Sequence, residues 1–210
     1  MTFVTPGAGQ AAESEGETDG FKISLTGSRA PLVEIELMAR QSIACTLTAV
    51  MYHDAVIGIR SLPVKVGSMQ LLINHHRTES ARITLMSGCA GAVGLFNMNQ
   101  HGGRLLCPLK SLLAVGPDIE VTVYSRYRSA GSNDLDIMQL VGKGYAVLAA
   151  SGEVKHIRLN PGKHTIVNAM AVAAMSATID FDPLPVQGNV HFARLTGPGQ
   201  VWLQSGATPG

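Results

Sequence analysis

One pattern of 17 residues occurs three times in this chain without a gap, as Ile43–Ile59 (IACTLTAVMYHDAVIGI), Leu105–Val121 (LLCPLKSLLAVGPDIEV) and Thr165–Phe181 (TIVNAMAVAAMSATIDF). The copies start 62 and then 60 residues apart. Short apolar segments returning at that interval predict one supersecondary unit used three times around a common core. The units are expected near residues 32–94, 95–155 and 156–206, within a single β domain spanning 21–206.

Strand signals fill each unit. Val33, Ile35 and Leu37 alternate with Glu34 and Glu36, and a period of two with charges outward predicts a half-buried strand. His156–Leu159 repeats this and leads into the turn Asn160-Pro161-Gly162. Six residues separate Leu37 from Ile43 and Leu159 from Thr165, which predicts two hairpin-like connections of equal length. In the second unit Leu95–Met98 is the counterpart, with Gln100–Gly103 as its turn. A first strand (43–48, 105–110, 165–170) should then reach a small-residue bend at Ala49, Ser111 or Ala171, and the chain returns through Val56–Ile59, Ile119–Tyr124 or Thr178–Phe181. Leu109–Val115 reads as helical in isolation, but its aligned copies are rich in Val, Ile and Thr, so a helix is rejected. Later in the units, Ile137–Leu148 matches Phe192–Leu203, with Gly142 and Gly144 aligned to Gly197 and Gly199. Strand, G-x-G and strand predict a hairpin whose glycines permit positive φ. Met69–Asn74, Arg77–Ser80 and Arg82–Met86 form a diverged version in the first unit.

Of the 210 residues, 46% are hydrophobic and only 15% charged, against roughly 25% charged in a typical soluble domain. Such a chain either buries sheet on both sides or covers apolar surface with a partner, so a homo-oligomer is expected, with a protein or membrane surface as further partner. The net charge of +1 speaks against nucleic acid. Cys45, Cys89 and Cys107 are odd in number with no C-x-x-C pair, which suits neither a disulfide framework nor a thiolate zinc site. Cys45 and Cys107 share an alignment column with Val167, as small buried apolar residues would. A reducing compartment, the cytoplasm, is expected. Residues 1–20 carry Glu13, Glu15, Glu17 and Asp19 among Gly, Ser and Thr, with neither a secretory nor a mitochondrial leader pattern, and read as a disordered acidic tail. No apolar run is long enough to span a bilayer.

Catalytic patterns are missing from the sequence. The seven histidines contain no H-x-H pair, and His75 and His76 would point to opposite faces of a strand. Gly142-Lys143-Gly144 and Gly197-Pro198-Gly199 precede no helix, so they are hairpin turns rather than phosphate cradles. Asp134 and Asp136 flank Leu135 in a polar loop. Arg126, Tyr127 and Arg128 are the densest basic and aromatic group; alternation would put the two arginines on one face, as a charged edge strand or as a nucleic-acid or partner contact. Trp202, the only tryptophan, is read as a packing or subunit-interface residue. No catalytic residue, cofactor or metal is assigned.

The string Leu195–Ser205 (LTGPGQVWLQS) resembles the signature end of the altered inheritance of mitochondria protein 24 family. Pro31–Leu37 (PLVEIEL), Gly102–Leu105 leading into Leu113-Ala114, and Asp118–Val121 agree in order, so the resemblance covers roughly residues 22–205. It implies an all-β, double-stranded β-helix fold, similar to the tryptophan RNA-binding attenuator protein and built here from three related units. Fungal mitochondrial members are implicated in inner-membrane organisation without enzymatic activity. This chain departs from the usual pattern where Arg60–Gln70 replaces a Gly-rich insertion, and in lacking a presequence-like start. The expectation is a non-enzymatic scaffold or binding protein acting through protein or peripheral membrane contacts. An RNA-binding module by fold analogy and a cupin-like metalloenzyme are the alternatives.

Overall fold

The computed structural model describes residues 3–4, 16–18, 21–27, 30–62, 67–88, 91–127, 135–185 and 191–206. Among the described residues there are strands and single-turn 3-10 helices and no α-helix. Three strands come first: β1 (Phe3–Val4), β2 (Gly16–Thr18) and β3 (Phe21–Thr26). Three blocks of six follow. The first is β4 (Leu32–Leu37), β5 (Ser42–Thr46), β6 (Val50–His53), β7 (Ile57–Ser61), β8 (Met69–Asn74) and β9 (Ala81–Met86). The second is β10 (Gly91–Asn97), β11 (Arg104–Pro108), β12 (Leu112–Val115), β13 (Ile119–Tyr127), β14 (Leu135–Gly142) and β15 (Tyr145–Ser151). The third is β16 (Val154–Leu159), β17 (His164–Asn168), β18 (Val172–Ser176), β19 (Asp180–Pro183), β20 (Phe192–Thr196) and β21 (Gly199–Gln204).

All pairing is antiparallel, and every block pairs in the same two sets. First, sixth and third strands lie side by side (β4-β9-β6, β10-β15-β12, β16-β21-β18), as do second, fifth and fourth (β5-β8-β7, β11-β14-β13, β17-β20-β19). The two sets of a block occupy different sheets. Blocks join because β12 pairs with β5 and β18 with β11, so each junction merges one set from each block into a single sheet.

This topology corrects the expected hairpins. β14 and β15, β20 and β21, and β8 and β9 are strands as expected, but neither member of a pair bonds to the other. G-x-G therefore carries the chain from one sheet to the next. So do the six-residue connections, since β4 and β5 lie in different sheets, as do β16 and β17. The glycines serve this crossing. A Cβ on Gly142 would strike the carbonyl of Asp118, one on Gly197 would come within 2.5 Å of the carbonyl of Asn160, and Gly144 takes φ +96°.

The expected bends are 3-10 turns at Leu47–Ala49, Leu109–Ser111 and Ala169–Ala171. Each opens directly into a further strand, β6, β12 or β18, which the sequence pattern did not show. A bulge is the reason. Register slips between Val50 and Tyr52, between Leu112 and Ala114, and between Val172 and Ala174, one alignment column in all three blocks. An extra residue there breaks the period of two. β12 is also buried along its whole length, so it has no polar face to alternate.

Three apolar clusters make up the core. One contains Ala44, Phe96, Cys107, Val115 and Trp202. A second contains Val33, Ile35, Cys45, Ile83 and Ala114. The third contains Leu106, Met175, Phe181 and Leu195. Residues of all three blocks meet in the first and of two blocks in each of the others, so no block completes its core alone. At the end of β8, the two N–H groups of buried Asn74 Nδ2 are shared among the carbonyls of Leu37 (3.0 Å), Met38 (3.1 Å) and Glu79 (2.9 Å), while its Oδ1 accepts from the His76 amide (2.9 Å). Asn74→Ala leaves buried backbone groups unpaired and is expected to cost about 2–3 kcal/mol in urea unfolding; a loss within error of zero would show that water replaces the amide.

Part of the expected tail is paired. Phe3–Val4 joins the edge of β10, and Gly16–Thr18 joins β3. Acidic composition disfavours core formation but leaves backbone hydrogen bonding at a sheet edge available. The other residues of 1–20 lie outside the described residues.

Candidate functional site

The turns at one end of the second junction enclose an open cleft of about 520 Å³. Arg104 opens β11 and Arg158 stands near the end of β16, and both reach this cleft with His101 and Gln139. They lie far apart in sequence, and pairing of β11 with β18, and β18 with β21, brings their strands into one sheet. Burial lowers the His101 imidazole below its ordinary pKa. The Gln200 amide donates to Ser176 Oγ (3.0 Å), and His156 Nε2 donates to Gln200 Oε1 (3.0 Å). Two exposed guanidinium groups around polar amides give the cleft the chemistry to receive an anionic group.

Trp202 lies behind the cleft wall, buried on β21. His156 stacks on it (5.1 Å, 19° between planes), while Phe96 (5.1 Å) and His101 (5.6 Å) approach edge to face. Two of the seven histidines thus serve an aromatic cluster. Among the described residues, no three His, Cys, Asp or Glu side chains come together as a metal-binding group. Asp136 is on β14, and Asp134 lies outside the described residues.

Arg126 is exposed on β13, the outermost strand of its sheet. Tyr127 pairs through its backbone with Leu135, and Arg128 lies outside the described residues. A bulge between Val123 and Ser125 resets the alternation expected for this segment. Cys45 and Cys107 are buried free thiols, and burial raises both pKa values, that of Cys107 to about 12. Cys89 lies outside the described residues.

Val123 and Tyr124 on β13, and Ile59 on the edge strand β7, are large apolar side chains exposed to solvent, and two further edges share this feature. Among the described residues β6 and β17 end their sheets, and both present large apolar side chains to solvent: Met51 and Tyr52 on β6, and Ile166 on β17. No helix among the described residues is long and apolar enough to cross a membrane.

The sequence profile described as "Mitochondrial biogenesis AIM24" matches residues 23–206, nearly the whole chain. The chain belongs to the AIM24 family. Its fold is that of protein SPYM3_0169 from Streptococcus pyogenes, known by X-ray crystallography. The two superpose with a TM-score of 0.72 at 16% identity, over 88% of this chain and 93% of the streptococcal one. No curated protein matches the sequence. The string Leu195–Ser205 has a structural role: Gly197 and Gly199 turn the chain between sheets, and Trp202 fills the core behind the cleft. Sequence reasoning did not find Arg104 and Arg158. They are 54 residues apart, and only the long-range pairing of strands makes them neighbours.

Proposed function

We propose that this AIM24-family protein is a non-enzymatic scaffold that works through protein contacts, first of all with copies of itself, in a reducing compartment such as the cytoplasm. The observation carrying this is the placement of exposed Met51, Tyr52 and Ile166 on the open edge strands β6 and β17. Exposed apolar edges promote association, and charges or Pro would blunt them if the protein worked alone. Two buried free thiols suit a reducing compartment.

We further propose that the three blocks are copies of one unit and that each is a double-stranded β-helix. Support comes from the common pairing order, the bulge in one alignment column, and the 3-10 turn at one place in every block. Light scattering on the purified full chain tests the scaffold reading. A single species heavier than the monomer is expected, and a monomer at every concentration would overturn it.

A further inference from the structure

Both internal junctions of the chain are built in one register. Val115 of β12 stands opposite Ala44 of β5, and Met175 of β18 stands opposite Leu106 of β11. Val115 and Met175 share a column of the threefold alignment, and so do Ala44 and Leu106. All four are buried. Each junction thus joins the third strand of one block to the second strand of the block before it.

That rule leaves two halves over. Among the described residues, β6 is a third strand whose outer edge meets no second strand, and β17 is a second strand whose outer edge meets no third strand. Their side chains are exposed where the aligned residues are buried. Met51 (54% exposed) aligns with buried Leu113 and Ala173, Tyr52 (50%) with buried Ala114 and Ala174, and Ile166 (59%) with buried Ala44 and Leu106.

We propose that β6 of one copy pairs antiparallel with β17 of a second copy, head to tail, with His53 opposite Ile166 and Tyr52 opposite Val167. The register is that of the two internal junctions carried one step further, and it rests on the reading that the blocks are copies of one unit. A polar contact fits the same step. At the first junction Thr46 Oγ1 donates to the Leu112 carbonyl (2.7 Å). The aligned residues at the open ends are Asn168, whose side chain can also donate, and Val50. Burial of Met51, Tyr52 and Ile166 supplies the apolar driving force, and backbone ladder bonds fix direction and register. The contact uses two different surfaces of one molecule, so it propagates until it closes into a ring.

Cysteine cross-linking of the full chain in a Cys89→Ser background tests the register. His53→Cys and Ile166→Cys are expressed singly and together in one cell, oxidised mildly, and separated on non-reducing gels. A linked dimer is expected from the co-expressed pair and from neither variant alone. Cross-linking within either single variant would mean like edges meet, and would overturn the proposal. An oligomer by light scattering that gives no cross-link from the pair would also overturn it while leaving the scaffold reading intact; a monomer would remove both. Ile166→Lys gives an independent measure. With Ile166 exposed, the fold should survive, shown by unchanged thermal unfolding of the isolated chain, and the assembly should fall to monomers. An unchanged oligomer mass in this variant would count against the proposed edge.

Discussion

Trp202→Ala is expected to remove about 3–5 kcal/mol of stability, the range for deleting a large buried aromatic side chain. Trp202 is almost fully buried and sits between two sheets. Its ring meets Phe96 of β10 and His101 from one side, and His156 of β16 stacks on it from another. Alanine would leave a cavity bordered by rigid strands, which cannot collapse into it as a loop could. With total stabilities of about 5–15 kcal/mol, such a loss is a large fraction of the whole. For a chain of this size the melting temperature should fall by roughly 6–20 °C. Because Trp202 is the only tryptophan, its emission in the parent protein reports unfolding of this site directly. Trp202→Phe keeps a ring against Phe96 and should lose much less. A Trp202→Ala loss below about 1 kcal/mol would mean the cluster is far looser than close packing implies.

Stability should also fall steeply in alkali, through Cys45 and Cys107. Burial penalises the thiolate, so both groups hold their protons more tightly in the folded state than in the unfolded chain. A raised folded pKa contributes stability that is complete below the ordinary value of 9.0 and is lost as pH climbs, through about 12 for Cys107. Within that window each thiol should remove about 1.4 kcal/mol per pH unit. Urea midpoints measured at pH 8 and pH 11 in the parent and in Cys45→Val/Cys107→Val check this. Val167 already occupies the same alignment column, so valine suits the site. The double variant should lose clearly less stability between the two pH values; parallel losses would place the alkaline transition elsewhere.

Local structure was far more legible in the sequence than pairing. The alternation of Val33, Ile35 and Leu37 marks a face, and Asn160-Pro161-Gly162 marks a turn, because both are properties of neighbouring residues. Neither says which strand lies alongside. Gly142 and Gly144 look the same in a hairpin as in a crossing between sheets, since both need small residues and unusual φ. The crossing is visible only once the Asp118 carbonyl is seen against Gly142. β12 was hidden for the opposite reason: a bulged strand buried on both faces has no period to read. The cysteines were legible through comparison with Val167, whereas Arg104 and Arg158 were not, because the cleft between them is a product of long-range strand order.

The merged sheets set a schedule for synthesis. Thr46 and Leu112, bonded across the first junction, are 66 residues apart, and the strands carrying them complete one sheet. At roughly 5–20 residues per second the ribosome needs several seconds between delivering the two. During that interval β5 waits on the nascent chain with one side of its backbone unsatisfied and its apolar face uncovered. The earliest block thus emerges as a partly open sheet, in need of shelter from chaperones until its successor leaves the exit tunnel.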